Sequence, residues 1–279
     1  MRTIRCALPA VTALLLTTSS AFGQDEGYEV ETDVISHEAT QDIHVWHPGS
    51  GGGFPVVYAL HGLGGTGVGW EVIAPALAER GVVVFATDYH STDITQGRSD
   101  RIVADLECGY RYVREIAGDY GGDLTQPVLF VGHSLGAEMA LGGGLDDMEF
   151  VPGGPYTACF NGADRPDAIV AIAGCYYEFE GQQFPFAASQ YGSGDARTVL
   201  VGGEDDEVCA ARQSRDATEA LAASGREATY VEIAGATHAT LIGHDIVDGE
   251  WLARPDHPTA AAVAGVILDV VASEQAAAG

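Results

Sequence analysis

Apolar residues in this chain occur in two arrangements, and each predicts a different element. Pro55–Leu60, Gly81–Thr87, Val128–Val131, Asp167–Gly174 and Thr198–Gly203 are almost uninterrupted apolar runs. A strand with one solvated face alternates in polarity, so short continuous runs predict strands covered on both faces, as in a parallel sheet. Between them the apolar positions fall at helical spacing. Trp70–Arg80, Ser99–Tyr120 (with Ile102, Leu106, Tyr110 and Val113 on one side), Val208–Ser224 and Pro258–Ala278 predict helices. Near the start, Tyr28–Ala39 and Asp42–His47 alternate and predict an exposed antiparallel edge, and Glu227–Ala234 predicts a last strand. Strand and helix alternate throughout. The expected architecture is therefore α/β: a mostly parallel central sheet with helices on both faces and right-handed crossovers.

Residues 1–23 carry Arg2 and Arg5, an apolar stretch through Leu14, Leu15 and Leu16, and small residues up to Gly23. That is the pattern of a secretory signal peptide, cut near Gly23–Gln24. Its apolar part is too short for a membrane span, which takes about 18 apolar residues, and a soluble secreted or periplasmic protein is expected. Residues 24–279 fit one α/β domain, expected as a monomer. No insertion between Tyr176 and Arg197 exceeds a short loop, so no large lid domain is expected.

Thirteen basic and 40 acidic residues give a formal charge of −27, and loss of residues 1–23, with two arginines and no acid, takes it to −29. Every basic residue is an arginine. Nucleic acid and anionic membrane both demand a basic footprint, so neither is an expected partner. The acids are scattered, which suits solvation of the surface in a saline habitat. Cys108, Cys159, Cys175 and Cys209 remain after cleavage, an even number in an exported chain, and two disulfides are expected. Cys175 and Cys209 should follow neighbouring parallel strands, which favours Cys175–Cys209 and leaves Cys108–Cys159. No pair has CxxC spacing, and no metal or other cofactor is expected.

The chemistry concentrates in Pro127–Ala140, PVLFVGHSLGAEMA. A buried strand runs into Gly132-His133-Ser134-Leu135-Gly136 and on into helix formers. A strand that reverses into a helix this sharply needs small residues two before and two after the turning serine. The turn lifts the Ser134 hydroxyl above the carboxyl end of the sheet, beside the free N–H groups of the next helix. A serine needs a base, and the base needs a carboxylate to orient it. Asp206 follows the strand VLVGG and His238 follows TYVEIAG, so both stand at strand ends. Asp205 is a rival acid, and His244 and His257 are rival bases. His61-Gly62-Leu63-Gly64-Gly65 also follows a buried strand, where the Leu63 N–H can face an anion. A phosphate loop is excluded there because the chain has no lysine.

In the order Ser134, Asp206, His238, each at the end of a strand, the chain resembles the α/β-hydrolase superfamily over nearly all of its length after residue 27. The elbow is similar to that of secreted carboxylesterases and feruloyl esterases, and the HGLGG loop to that of bacterial cutinase-like polyester hydrolases. The resemblance implies hydrolysis of a small or polymeric carboxylic ester through an acyl-enzyme. It places Leu63 and Leu135 N–H groups in the oxyanion hole, and its G-x-x-D turn favours Asp206 over Asp205. Tyr89, Tyr176 and Tyr177, on loops above the expected sheet, are candidates for an apolar substrate pocket. A serine peptidase of the same fold and a non-catalytic binding protein on this scaffold are the rival readings.

Overall fold

The computed structural model describes residues 27–36, 42–96, 99–145, 165–179, 182–183 and 194–279. The expected signal peptide and Cys159 lie outside them. The strands are β1 (Val30–Ser36), β2 (Asp42–Pro48), β3 (Val56–Leu60), β4 (Val83–Thr87), β5 (Val128–His133), β6 (Ala168–Ile172), the two-residue pair β7 (Glu178–Phe179) and β8 (Gln182–Gln183), β9 (Arg197–Gly203), β10 (Ala228–Ile233), β11 (His244–Val247) and β12 (Glu250–Ala253). The helices are α1 (Ile73–Ala78), α2 (Ser99–Ile116), α3 (Leu135–Leu145), α4 (Ala211–Ala223) and α5 (Pro258–Ala278).

Eight strands form one sheet in the order β1-β2-β4-β3-β5-β6-β9-β10. Every pair from β4 to β10 in that order is parallel, and β1 and β2 join as an antiparallel edge. Continuous apolar runs arise because successive residues feed opposite faces, both covered. Val57, Ala59, Leu129 and Val131 pack with α1 and α5 on one face. Val56, Tyr58, Val128 and Phe130 pack with α2, α3 and α4 on the other. Helix α5 is long and apolar enough to cross a membrane by length and composition, yet its Val263, Ile267, Val270 and Val271 are buried in the sheet's core.

Two expected helices begin later than their apolar pattern suggests. Gly67–Trp70 is a separate 3-10 turn ahead of α1. Val208 and Cys209 stay out of α4 because their N–H groups donate to the Asp206 side chain instead. The β11–β12 hairpin is an element the apolar pattern did not suggest at all.

Candidate active site

The turn between β5 and α3 is set by local sterics. A Cβ on Gly132 would stand 1.9 Å from the Gly136 carbonyl oxygen, and one on Gly136 would stand 2.2 Å from that of Leu60. Only glycine fits either position. Between them Ser134 adopts φ 57°, a left-handed backbone uncommon outside glycine. It is held by two bonds, Ser134 N–H to the Ile172 carbonyl at 2.9 Å and Ala137 N–H to the Ser134 carbonyl at 2.9 Å. The strain lifts the serine side chain off the sheet and into a cavity.

At the ends of β9 and β10 the sequence brings an acid to a base. Asp206 is buried. Its Oδ1 accepts from Val208 N–H and Cys209 N–H, both at 2.8 Å, and its Oδ2 accepts from His238 Nδ1 at 2.9 Å. Asp205 is exposed and takes no part in this contact. The carbonyl of His238 accepts from His133 Nε2 at 2.9 Å. Burial pushes the His133 pKa well down, with the neighbouring His238 adding to it, so His133 is a neutral brace for the histidine loop. A disulfide joins Cys175, after β6, to Cys209, after the neighbouring β9, and so ties down the residue whose N–H holds Asp206. Cys108 is buried and disulfide-bonded, while its expected partner Cys159 lies outside the described residues.

Ser134 and His238 line one cavity of about 500 Å³ with His61, Leu63, Val68, Trp70, Val208, Ile242, His244 and Trp251. Among the described residues the Ser134 hydroxyl makes no hydrogen bond, so its link to His238 is open in this resting structure. Leu63 sits in the turn closed by Gly65 N–H to the Gly62 carbonyl at 3.1 Å. Ser91 Oγ accepts from Gly64 N–H at 2.9 Å and pins the same turn from below. Leu135 is the first residue of α3, where an N–H has no partner within the helix. No group of three or more His, Cys, Asp or Glu side chains among the described residues could hold a metal ion.

A family model described as the alpha/beta hydrolase family matches residues 57–193, from β3 through the elbow. The chain has the α/β-hydrolase fold. It is similar in structure to a thermophilic esterase of the planctomycete Thermogutta terrifontis with propionate bound, at 16% identity and TM-score 0.63 over 88% of this chain and 94% of that one. It is similar also to a truncated carbohydrate esterase from gut microbiota, at 16% identity and TM-score 0.62 over 91% and 98% of the two chains. In sequence it is 41% identical over 64 residues to a probable isoprenylcysteine alpha-carbonyl methylesterase of Oryza sativa subsp. japonica, a match that spans only 15% of that protein.

The chain departs from expectation in its pocket wall. Tyr89 is buried beneath the HGLGG turn: its hydroxyl donates to the His61 carbonyl at 2.6 Å, its N–H donates to His61 Nε2 at 3.3 Å, and its ring stacks on the imidazole at 4.2 Å. Burial lowers the His61 pKa, and the neutral ring takes the Tyr89 N–H at Nε2 while Nδ1 donates to the Gly62 carbonyl at 2.8 Å. Tyr176 belongs to the core. Tyr177 faces away, donating to Asp216 at 2.6 Å under the Arg212 guanidinium. None of the three lines the cavity, whose aromatic wall is Trp70 and Trp251. Trp251 is reachable from sequence through the turn alone and not through the apolar pattern, because Asp248-Gly249 is a hairpin turn signal, and Asp248 (φ 53°) and Gly249 (φ 85°) are the two left-handed residues such a turn needs. Of the rival bases, His257 caps α5 by accepting from Thr259 N–H, and His244 has a carbonyl, that of Ile242, behind its Nδ1 where His238 has a carboxylate.

One half-buried acid remains beside the elbow. Burial raises the Glu138 pKa to about 8, against a hydrogen bond from the Cys175 backbone that lowers it. The unfolded carboxyl ionises near 4.5, so the folded state binds the extra proton between those values. Its stabilising contribution is complete below about 4.5 and is lost as pH rises through about 8. Glu138→Gln keeps the acceptor and removes the ionisation. Relative to the parent, the variant's melting temperature is expected to be unchanged at pH 4.5 and higher by several degrees above pH 8, the rise from 4.5 to about 8 setting an upper bound of about 5 kcal/mol. Thermal melts across that range check it, and a difference independent of pH would contradict it.

Proposed function

We propose that this protein is an exported enzyme that cleaves carboxylic esters through an acyl-enzyme, with Ser134 as nucleophile, His238 as base and Asp206 as orienting acid. The observation that carries the reading is the convergence on one cavity of a serine strained to φ 57° and a histidine whose Nδ1 is held by a buried carboxylate. A proton on Nδ1 leaves His238 Nε2 free to accept the Ser134 proton as Oγ attacks the ester carbonyl, and substrate closes the contact left open in the resting chain. The N–H groups of Leu63 and Leu135 then stabilise the oxyanion. His238 returns the proton to the departing alcohol, and water, activated the same way, frees the acid and restores Ser134. The protein's own groups suffice for every step, without cofactor or metal.

The names of the similar proteins, all esterases, support ester over peptide hydrolysis. The leader pattern of residues 1–23 supports export, and the acidic, lysine-free composition supports a soluble monomer that binds neither nucleic acid nor membrane. A serine-directed phosphonate is expected to label Ser134 stoichiometrically, and acyl esters to be cleaved at least a hundredfold faster than matched peptide amides. Labelling elsewhere sinks the site assignment, and faster amide cleavage favours the peptidase.

A further inference from the structure

The alcohol of an ester leaves with the proton returned by His238, so the alcohol portion of the substrate must sit against that ring. Beside it on the cavity wall, beyond His133, stands Trp251, from β12. Its ring centre lies 6.5 Å from that of His238, 6.3 Å from that of His133 and 6.0 Å from that of His244, and the residue is 47% exposed. His244 and Glu71 complete this side of the cavity. The His244 side chain is only 5% exposed. Its Nδ1 lies 3.2 Å from the Ile242 carbonyl, which can only accept, so Nδ1 carries a proton. In the neutral ring Nε2 is then an acceptor. It faces Glu71 Oε1 at 3.6 Å, another acceptor and beyond hydrogen-bond reach.

Two acceptors side by side next to an indole call for a ligand with two neighbouring donors. Adjacent hydroxyl groups supply them. A sugar ring carries such hydroxyls at its edge and polarised C–H groups on its face, which the electron-rich face of an indole attracts. An alkyl alcohol has no donor to spare once it is esterified, and a quaternary ammonium alcohol has none for Nε2.

We propose that the alcohol portion of the substrate is an uncharged polyhydroxylated group, a sugar or polyol, seated on Trp251 with hydroxyls donated to Glu71 and His244. The proposal rests on the reading of Ser134 and His238 as the esterolytic pair. It makes Glu71, His244 and Trp251 the residues that set specificity for the leaving group.

The test compares 6-O-acetylglucose, methyl acetate and acetylcholine, followed by acid release in a pH-stat with the full-length mature enzyme. The parent is expected to favour acetylglucose in kcat/KM by about tenfold or more, and Glu71→Ala and Trp251→Ala each to lower the acetylglucose-to-methyl-acetate ratio by about tenfold, the scale of one hydrogen bond to a charged group. Trp251→Phe should restore part of the ratio. Binding of free cellobiose, read by tryptophan fluorescence, should weaken in Glu71→Ala whether or not the enzyme turns over. Failure to cleave any ester, with cellobiose binding intact, would count against the esterase reading and not the subsite. A ratio unmoved in both variants, cellobiose binding unaffected by Glu71→Ala, or preference for acetylcholine would overturn the subsite.

Discussion

Ser134→Ala is expected to lower kcat/KM for ester hydrolysis by about four to six orders of magnitude while leaving the fold in place. The large effect follows from covalent chemistry: without Oγ no acyl-enzyme forms, and only binding and the oxyanion donors remain to accelerate attack by water. The small structural effect follows from how the elbow is built. Its path is dictated by close approach of Gly132 to Gly136 and of Gly136 to Leu60, and by backbone bonds of residue 134 to Ile172 and Ala137 that alanine keeps. Alanine also tolerates φ 57° about as badly as serine does, so the strain is unchanged. The melting temperature should therefore move by no more than the equivalent of about 1 kcal/mol. Steady-state kinetics and a thermal melt on the same preparation check both halves. A variant that keeps more than about a tenth of the activity would remove Ser134 from the mechanism.

The parts of this molecule legible in sequence are those decided by short-range physics. A continuous apolar run is a strand covered on both faces because both sets of its side chains must be buried, and β3 to β6 and β9 obey that rule. The elbow is legible because Gly-x-Ser-x-Gly records two steric exclusions within five residues. Cys175 and Cys209 could be paired in advance because adjacent parallel strands bring their carboxyl ends together, as β6 and β9 do. The pocket wall is a different matter. Tyr89 was expected to face substrate because it follows a strand, but the direction of its ring is decided by His61, 28 positions away, which takes both its N–H and its stacking face. Trp251 and the Glu71–His244 pair meet only through tertiary folding of a hairpin onto a 3-10 turn, and aromatic content alone does not separate them from the core. The choice between Asp205 and Asp206 likewise turns on which of them the β9–α4 turn buries.

That turn gives Asp206→Asn an outcome that can be derived atom by atom. Oδ1 receives the N–H groups of Val208 and Cys209, both 2.8 Å away, so whichever atom occupies that position must accept twice. An asparagine must therefore put its carbonyl oxygen there and turn its NH₂ to His238 Nδ1, now 2.9 Å from a donor instead of an acceptor. The imidazole answers by moving its proton to Nε2, and a protonated Nε2 cannot take the proton of Ser134. Loss of kcat/KM by about two to four orders of magnitude is expected, with the burial and backbone hydrogen bonds of residue 206 retained. Asp205→Asn, at an exposed side chain outside this network, is the control, expected to stay within about twofold of the parent. Because the defect lies in the proton's position and not in the cavity, the phosphonate that modifies Ser134 should react far more slowly with Asp206→Asn, while cellobiose binding stays as in the parent. If Asp205→Asn shows the larger loss, or if Asp206→Asn reacts with phosphonate at the parent's rate, then the carboxylate behind His238 does not set its tautomer and the base must be sought elsewhere in the cavity.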